Sequence, residues 1–278
     1  MCAGTRPARQ LHTPPVMRYN RVRRCHRYTL NPAEFTNIAS SEKNFWWYRG
    51  MRAILLRLLD PLLAGRKITR ALDAGCGTGY FCYLLQQERR WPIVPMDISW
   101  NGLRYARDMG IERSVQGDIT SLPFVGGAFD LVLSADVISH LPRGEERRSI
   151  GEMSRVLTPG GLLAVRAPAL DALRSRHSEF IGEYQRFTRR RLSELMESAG
   201  VRVLRCTYAN SLLMPVALAK FRLWEPLTGQ QPGSGVEPVS PWLDNLLYRP
   251  LAIEASWLGN GHNLPAGQSV ICIGEKRP

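Results

Sequence analysis

Three features are missing from this 278-residue chain, and each absence excludes a class of protein. Its apolar segment Cys206–Ala219 is shorter than the ~20 residues of a membrane-spanning helix and contains Pro215, so we predict no transmembrane segment. No apolar stretch follows the N-terminal arginines, so we expect no secretory signal. The six cysteines form no C-x-x-C pair, which is typical of reduced thiols rather than of a disulfide framework or a zinc site. We therefore expect a cytoplasmic protein.

Acidic residues are missing from the N-terminus. The formal net charge is +13, and residues 1–33 supply +7 of it from seven arginines, which leaves +6 for the rest. We predict a basic, weakly ordered arm over 1–33 and one domain over 34–278. The arm is either a solvated tail or, around Val16–Tyr28, a helix that forms an oligomer or covers the substrate. With 44% apolar residues overall, the domain can bury a sizeable core.

The spacing of apolar residues predicts alternating strands and helices. After a helix over Phe45–Leu63, short apolar runs alternate with amphipathic segments. The predicted strands are Ile68–Asp73, Ile93–Asp97, Ser114–Gln116, Phe129–Ser134, Leu162–Ala167, Val201–Thr207 and Ser269–Gly274, and the predicted helices are Tyr80–Glu88, Trp100–Met109, Glu145–Leu157 and one from Thr188 to Gly200. This order indicates an α/β fold, with a mostly parallel sheet between helices and a ligand beyond the carboxyl ends of the strands. Residues 210–267 are too long for a turn, so we predict a partly helical cap there.

A glycine-rich turn follows the first of these strands and reads Leu72-Asp73-Ala74-Gly75-Cys76-Gly77-Thr78-Gly79. Glycines allow a ligand to approach the backbone, and the helix that follows offers free N–H groups. Tyr80 stands where a dinucleotide fingerprint has its third glycine, and no Walker lysine follows. The turn therefore disfavours dinucleotides and nucleoside triphosphates.

Acidic residues close the next two strands. Asp97 is placed to accept both ribose hydroxyls of a nucleoside. Asp118, in Gln116-Gly117-Asp118-Ile119, is placed to meet an adenine amino group while Ile119 covers the ring. Asp73 either contacts the ligand or only braces the glycine turn.

Taken in order, these motifs resemble those of the class I S-adenosylmethionine-dependent methyltransferases. The resemblance covers roughly residues 45–209 and includes Phe129-Asp130-Leu131-Val132 and Arg155-Val156-Leu157-Thr158-Pro159-Gly160-Gly161. It implies a three-layer, doubly wound, Rossmann-like sheet of seven strands whose last strand is antiparallel and inserted between its neighbours. It also implies S-adenosylmethionine as the cofactor and S-adenosylhomocysteine as the product. Phe45-Trp46-Trp47-Tyr48-Arg49-Gly50 is similar to the entry helix of bacterial small-molecule members of the secondary-metabolite type.

The same resemblance implies which residues hold the cofactor. The three glycines would contact its methionine part, Asp97 its ribose, and Asp118 with Ile119 its adenine, while Arg49 would neutralise its carboxylate. The complete predicted set is Arg49, Asp73, Gly75, Gly77, Gly79, Asp97, Ile98, Asp118, Ile119, Ser134 and Ala135.

The acceptor side is predicted from imidazole and aromatic side chains. Methyl transfer needs a base when the acceptor is a hydroxyl or an acidic carbon, and His140, His177 and Tyr184 are the catalytic candidates. The substrate-binding candidates are Trp46, Trp47, Tyr48, Arg186 and Phe187. Trp46, Trp47 and His140 are open to a second interpretation, as packing residues.

Two further motifs are missing. No pair of acids with Asn or Asp stands where a catechol-type magnesium site needs it, so we expect no metal. No N/D-P-P-Y follows the fourth strand, where the chain reads Ser134-Ala135-Asp136-Val137, which argues against methylation of nucleic-acid bases. The Arg-rich arm keeps an RNA or protein substrate as an alternative, although few aromatics interleave its arginines.

We predict methyl transfer to a small, largely apolar metabolite, as in natural-product biosynthesis, because the aromatic side chains suit an apolar pocket. One alternative is carbon methylation of an alkene on a prenylated or terpenoid compound, since ring faces stabilise positive charge. Another is a quinone or lipid-linked acceptor reached by peripheral membrane contact, which the apolar stretch Leu212–Leu218 allows. A cofactor-binding scaffold without activity is the non-enzymatic alternative.

Overall fold

A computed structural model describes residues 32–228, 233–236 and 239–278. Nearly all of the predicted basic arm, including the helix considered around Val16–Tyr28, lies outside the described residues.

Seven strands form one sheet in the order β3-β2-β1-β4-β5-β7-β6. The strands are β1 Ala71–Ala74, β2 Ile93–Asp97, β3 Val115–Gln116, β4 Phe129–Ala135, β5 Leu157–Pro168, β6 Val201–Ala209 and β7 Ser269–Lys276. Neighbours from β3 to β5 pair in parallel, whereas β7 pairs antiparallel with both β5 and β6. The predicted seven-stranded sheet with an inserted antiparallel last strand is thereby confirmed.

The helices cover both faces of the sheet. They are α1 Pro32–Ser41, α2 Trp46–Leu63, α3 Tyr80–Arg89, α4 Trp100–Asp108, α5 Glu145–Val156, α6 Arg176–Phe180, α7 Arg189–Ser198, α8 Met214–Ala219, α9 Glu225–Thr228 and α10 Pro241–Gly259. Side chains of α2, α3, α4 and α10 share one apolar cluster with the sheet, and those of α5 and α7 share the other. This division gives the three layers that alternating strands and helices require.

The first strand begins three residues later than predicted. The amides of Thr69 and Arg70 donate to Asp130 Oδ2 at 2.8 and 2.9 Å, so the Asp130 side chain takes the place of a neighbouring strand there. Ladder pairing starts only at Ala71, opposite Ile93 and Leu131. Apolar pattern alone predicts the strand but not this local competition for its amides.

The segment between β6 and β7 is partly helical. A π-helical stretch, Lys220–Trp224, joins α8 to α9 without a break, and α10 follows. A Cβ on Gly50 of α2 would lie 2.2 Å from Leu251 Cδ1 of α10, so the two helices cross in close contact at this glycine. The inner face of α10 buries Leu251, Ala255 and Leu258 there. Helix α10 therefore completes the layer that covers the sheet beside α2.

Candidate active site

The glycine turn lies at the carboxyl end of β1, with Gly75, Gly77 and Gly79 at φ +93, +59 and +80°. A Cβ on Gly75 would lie 2.3 Å from Val137 Cγ2, and one on Gly79 would lie 2.6 Å from Ala106 Cβ. A Cβ on Gly77 would meet nothing within 4 Å. Two of the glycines thus let the turn pack against the protein, and the middle one leaves its backbone open to a ligand.

Asp97, at the end of β2, lies directly beside this opening. Its Oδ2 accepts the Gly77 amide at 2.8 Å and its Oδ1 accepts the Ser99 amide at 2.8 Å. The side chain is buried, and burial raises its pKa to about 6. The predicted ribose-binding acid and the predicted glycine turn are therefore in contact.

Asp73 is bonded to the helix that follows the glycine turn. The Cys82 thiol of α3 donates to its Oδ2 at 3.2 Å, and burial raises its pKa to about 6. This contact ties β1 to the helix that follows the glycine turn, which agrees with the bracing interpretation of this residue.

The predicted adenine-binding residues follow β3. Asp118 Oδ1 accepts the Thr120 amide and hydroxyl, both at 2.8 Å, and Ile119 is buried in the core. The Ile98 carbonyl accepts the Gln116 amide group at 3.0 Å, which fixes the loop after β2 next to them. Ser134 and Ala135 end β4, where the Ser134 hydroxyl donates to the Ala74 carbonyl at 2.9 Å.

Two residues that the sequence analysis missed lie at the glycine turn. The Thr78 hydroxyl donates to both carboxylate oxygens of Glu42 at 2.6 Å, and Arg52 Nη1 donates to the Glu42 carbonyl at 2.6 Å. Burial raises the pKa of Glu42 to about 7. The Arg52 guanidinium lies 5.2 Å from the centre of the Tyr80 ring, at the first residue of α3. The only sequence signal for this pair was the helical period of α2, which places Arg52 about one turn beyond Arg49.

The structure places Arg49 in an ion pair with α10. Its Nη1 donates to Asp244 Oδ2 of α10 at 2.9 Å, and its guanidinium lies 4.3 Å from the centre of the Tyr248 ring. Asp244 already supplies the opposite charge that the cofactor's carboxylate would have supplied. The sequence analysis could not foresee this pairing, because the two residues are almost 200 positions apart.

An ion pair joins the carboxyl ends of β4 and β5. Arg166 of β5 donates from Nε and Nη2 to Asp136 Oδ2 at 3.0 and 2.6 Å, and its guanidinium lies 5.1 Å from the centre of the Trp47 ring. Tyr48 is next to Trp47 on α2. Burial and the carboxylates of Glu42, Glu34 and Asp136 raise the pKa of Tyr48 well above its usual value, so this phenol stays protonated. Trp46 instead donates its amide to Asp244 and packs against the core.

The two candidate histidines lie on neighbouring segments. His140 Nδ1 is 3.3 Å from the Gly182 carbonyl, and His177 Nδ1 accepts the Gly235 amide at 2.8 Å. Burial lowers the pKa of both, so both imidazoles are neutral at pH 7. The Gly235 amide occupies the Nδ1 lone pair of His177, whereas His140 donates from Nδ1 and keeps a free lone pair on Nε2 that can accept a proton. Tyr184, the third candidate, is 49% exposed and is the least enclosed of the three.

Two of the predicted substrate-binding side chains are held within the protein. Arg186 donates to Glu183 Oε1 at 2.6 Å, to Ser178 Oγ at 2.9 Å and to the Ala169 carbonyl at 3.1 Å, so its donors are used inside the protein. Phe187 has no exposed surface and belongs to the apolar core under α7. Both residues hold the loop after β5 in place.

A short segment crosses the acceptor side. The Ser234 hydroxyl donates to Glu34 Oε1 of α1 at 3.1 Å, and the next residue, Gly235, donates to His177 of α6. Residues 233–236 therefore link the helix before the glycine turn to the loop after β5. Within the described residues, no three Asp, Glu, His or Cys side chains are grouped so that they could hold a metal ion.

Comparison with known proteins agrees with this arrangement. Residues 72–165 match the family model of a methyltransferase domain. A SAM-dependent methyltransferase from Thermotoga maritima has the same fold, with a TM-score of 0.51 and 21% identity over 83% of this chain and 93% of that one.

Curated relatives are similar over part of their length. Malonyl-[acyl-carrier protein] O-methyltransferase of Pectobacterium atrosepticum is 35% identical over 39% of this chain and 41% of its own. Ajmaline N-methyltransferase of Rauvolfia serpentina is 29% identical over 50% of this chain and 55% of its own. The chain thus spans about half the length of the curated relatives it matches.

Proposed function

We propose that this protein is a class I S-adenosylmethionine-dependent methyltransferase that acts on a small, largely apolar acceptor. The observation that carries the proposal is the open backbone at Gly77, held against the carboxylate of Asp97. A nucleoside lying across the glycine turn brings its ribose to that carboxylate, as the order of motifs predicts.

The charges around the turn fit a donor derived from an amino acid. S-adenosylmethionine ends in an ammonium and a carboxylate, and the turn carries the Glu42 carboxylate and the Arg52 guanidinium. We assign the ammonium to Glu42 and the carboxylate to Arg52, in place of Arg49. Asp118 and Ile119 stay assigned to the adenine.

When bound, S-adenosylmethionine supplies a sulfonium methyl group that passes in line to the acceptor atom and leaves S-adenosylhomocysteine. The protein's part is to hold the acceptor in line at near-attack distance. For a hydroxyl acceptor, the neutral imidazole of His140 takes the proton at Nε2, because its Nδ1 donates to the Gly182 carbonyl. For an amine acceptor, the same imidazole takes the proton that the product ammonium loses.

Oxygen or nitrogen methylation is favoured over carbon methylation. The ring faces that would stabilise a carbocation already have arginine partners: Trp47 has Arg166 and Tyr80 has Arg52. The relatives named above include an O- and an N-methyltransferase, and they give no single acceptor for this chain. Membership of the bacterial small-molecule group is part of this proposal.

Calorimetry with S-adenosylhomocysteine tests the donor site directly. Wild-type protein should bind it, Asp97→Asn should weaken binding at least about tenfold, and Asp108→Asn, an exposed acid at the end of α4, should leave it unchanged. An assay with S-adenosylmethionine and a panel of apolar alcohols and amines should then yield products heavier by one methylene unit. No heat of binding with folded wild-type protein would refute the proposal.

A further inference from the structure

The exposed apolar side chains are concentrated in one part of the chain. Eleven large apolar side chains are exposed among the described residues, and nine of them lie between β6 and β7. These nine are Leu212, Val216, Leu223, Trp224, Leu227, Trp242, Leu246, Ile253 and Trp257. Such a concentration on a folded domain marks a surface that contacts something other than water.

Several of these side chains recur at helical spacing. Most positions of the continuous helix 214–228 are exposed, and among them Val216, Leu223 and Leu227 are separated by seven and four residues. Along α10, Trp242, Leu246, Arg249, Ile253 and Trp257 are separated by four, three, four and four residues, and all are exposed. Residues spaced in this way share one face of a helix. Helix α10 thus has an apolar face toward α2 and a second apolar face toward solvent. We call the outward residues of 212–228 and α10 the apolar face.

The charges on the apolar face are of one sign. Lys220, Arg222 and Arg249 are exposed. The described acids of the same segment are all engaged within the protein: Glu225 accepts the Arg176 amide at 3.1 Å, Asp244 accepts from Arg49, and Glu254 accepts the Leu212 amide at 2.7 Å. An apolar surface with three indoles and only cationic exposed charges is typical of a helix that lies in a membrane interface.

The apolar face borders the acceptor side of the site. Arg176, whose amide donates to Glu225, is the residue before His177. Asp244 accepts both the amide of Trp46 and the guanidinium of Arg49 at the start of α2. The two helices of this face are therefore bound to the segments that carry one of the candidate histidines and the aromatic residues of the site.

We propose that the apolar face docks on the surface of an anionic lipid bilayer. The three cations match anionic headgroups, while the indoles and aliphatic side chains enter the headgroup boundary. Within the described residues, no helix is both long enough and apolar enough to cross a bilayer, so the contact is peripheral. The arginine-rich residues 1–33 carry positive charge, as the apolar face does, so they do not complement it electrostatically. The apolar face of a second copy carries the same positive charge and does not complement it either. If the protein docks on a bilayer and has the proposed function, its methyl acceptor is a molecule held in the membrane. This last step rests on the proposed function.

Sedimentation of the full chain with lipid vesicles tests the proposal. We expect binding to vesicles of phosphatidylcholine with 30% phosphatidylglycerol, weak binding to phosphatidylcholine alone, and loss of binding as salt is added. The tryptophan emission should shift to shorter wavelength on binding, because the exposed indoles leave water.

Paired variants separate the apolar face from the basic N-terminus. Trp224→Ala with Leu227→Ala, Trp242→Ala with Trp257→Ala, and Lys220→Glu with Arg249→Glu should each weaken binding to anionic vesicles about tenfold or more. Val125→Ala and Arg190→Glu, which change an exposed apolar residue and an exposed arginine elsewhere, should bind like the wild type.

Three outcomes would overturn the proposal. The first is that all three paired variants bind vesicles as tightly as the wild type, which would assign the attraction to the N-terminal arginines alone. The second is no binding by wild-type protein. The third is a concentration-dependent dimer that the apolar variants abolish while vesicle binding is absent, which would make the face an interface between copies. Vesicle binding needs no methyl donor, so its failure is distinguishable from failure of the donor-binding test.

Discussion

Arg166 and Asp136 form an ion pair at the ends of β5 and β4, with two N–H groups of the guanidinium on one carboxylate oxygen at 3.0 and 2.6 Å. The arginine side chain is 9% exposed and that of Asp136 is 29% exposed, so water replaces the carboxylate only in part when the charge is removed. The Trp47 ring lies over the same guanidinium and reaches the acceptor side of the site.

Asp136→Asn should destabilise the protein by about 1–3 kcal/mol, because it leaves a buried guanidinium without its counter-charge. Asn tolerates the positive φ of +60° at this position, so the substitution tests charge rather than backbone strain. Urea denaturation measures the change. Asp171→Asn is the control, since its carboxylate is 69% exposed and 3.6 Å from Arg174. Equal losses in the two variants would contradict the prediction.

Gly77→Ala should lower the affinity for S-adenosylhomocysteine about tenfold or more, because its Cβ enters the space assigned to the ligand. Gly65→Ala is a matched control: both glycines have positive φ, +59 and +76°, and a Cβ on either meets nothing within 4 Å. The two variants should lose similar stability, while Gly65→Ala keeps wild-type affinity. Similar affinities by calorimetry would place the ligand elsewhere.

Affinity for S-adenosylhomocysteine should fall as the pH drops below 6, by roughly tenfold between pH 7 and pH 5. Burial raises the pKa of Asp97 to about 6, and a protonated carboxyl loses part of its capacity to accept ribose hydroxyls. A raised carboxyl pKa means that the folded state binds the proton more tightly than the unfolded chain. Asp97 and Asp73 therefore make the protein more stable, not less, as the pH falls from about 6 to about 4. Weaker binding with an unchanged or higher melting temperature is the expected pair of results. Asp97→Asn should remove the part of the affinity profile centred near pH 6 and leave the part due to Glu42, whose pKa is about 7.

Arg52→Met should weaken donor binding about tenfold or more, because it removes the guanidinium assigned to the donor's carboxylate. Arg49→Met should leave donor binding within about twofold, since Arg49 is paired with Asp244. Calorimetry on both variants decides between the arginines. The reverse order of effects would restore Arg49 to the donor site.

His140→Ala should lower turnover by about 10² or more while changing the affinity for S-adenosylhomocysteine less than about twofold, if the acceptor is a hydroxyl. The reason is that Nδ1 of this imidazole faces the Gly182 carbonyl, which leaves the Nε2 lone pair free, and its lowered pKa keeps it in the basic form at pH 7. Turnover should also decline below the pKa of this imidazole, and this limb should vanish in the variant. His177→Ala is the comparison and should affect turnover less, since the Gly235 amide occupies the Nδ1 lone pair of His177. Unchanged turnover by a folded His140→Ala variant removes His140 from the site.

The sheet was predictable because each strand is an apolar run bounded by turn residues, as in Phe129–Ala135 and Ser269–Lys276. The donor side was predictable because Gly77 and Asp97 follow consecutive strands, and parallel strands bring their carboxyl ends together. The positions of Gly77 and Asp97 follow from the order of the strands alone.

The remaining site residues depend on contacts between distant segments. Arg49 and Arg52 are one turn apart on α2, and only the position of Asp244 on α10 separates their roles. Arginine is a residue type that often binds ligands, which is why Arg186 was a candidate. In the structure, Glu183 and Ser178 accept its hydrogen bonds within the protein. No sequence pattern pointed to Glu42, because its role depends on how α1 packs in three dimensions. Phe35 of α1 lies against Gly102, next to the Gly77 carbonyl of the glycine turn.

Helix α10 cannot be removed as a separate module, although it lies in an insertion between β6 and β7. Truncation would uncover the side chains on α2 that Leu251 and Leu258 now cover and would leave Gly50 facing a void. Any shortened version made for crystallisation must keep this helix and with it the indoles on its outer side. Mild detergent, rather than deletion, is therefore the rational way to keep purified samples monodisperse.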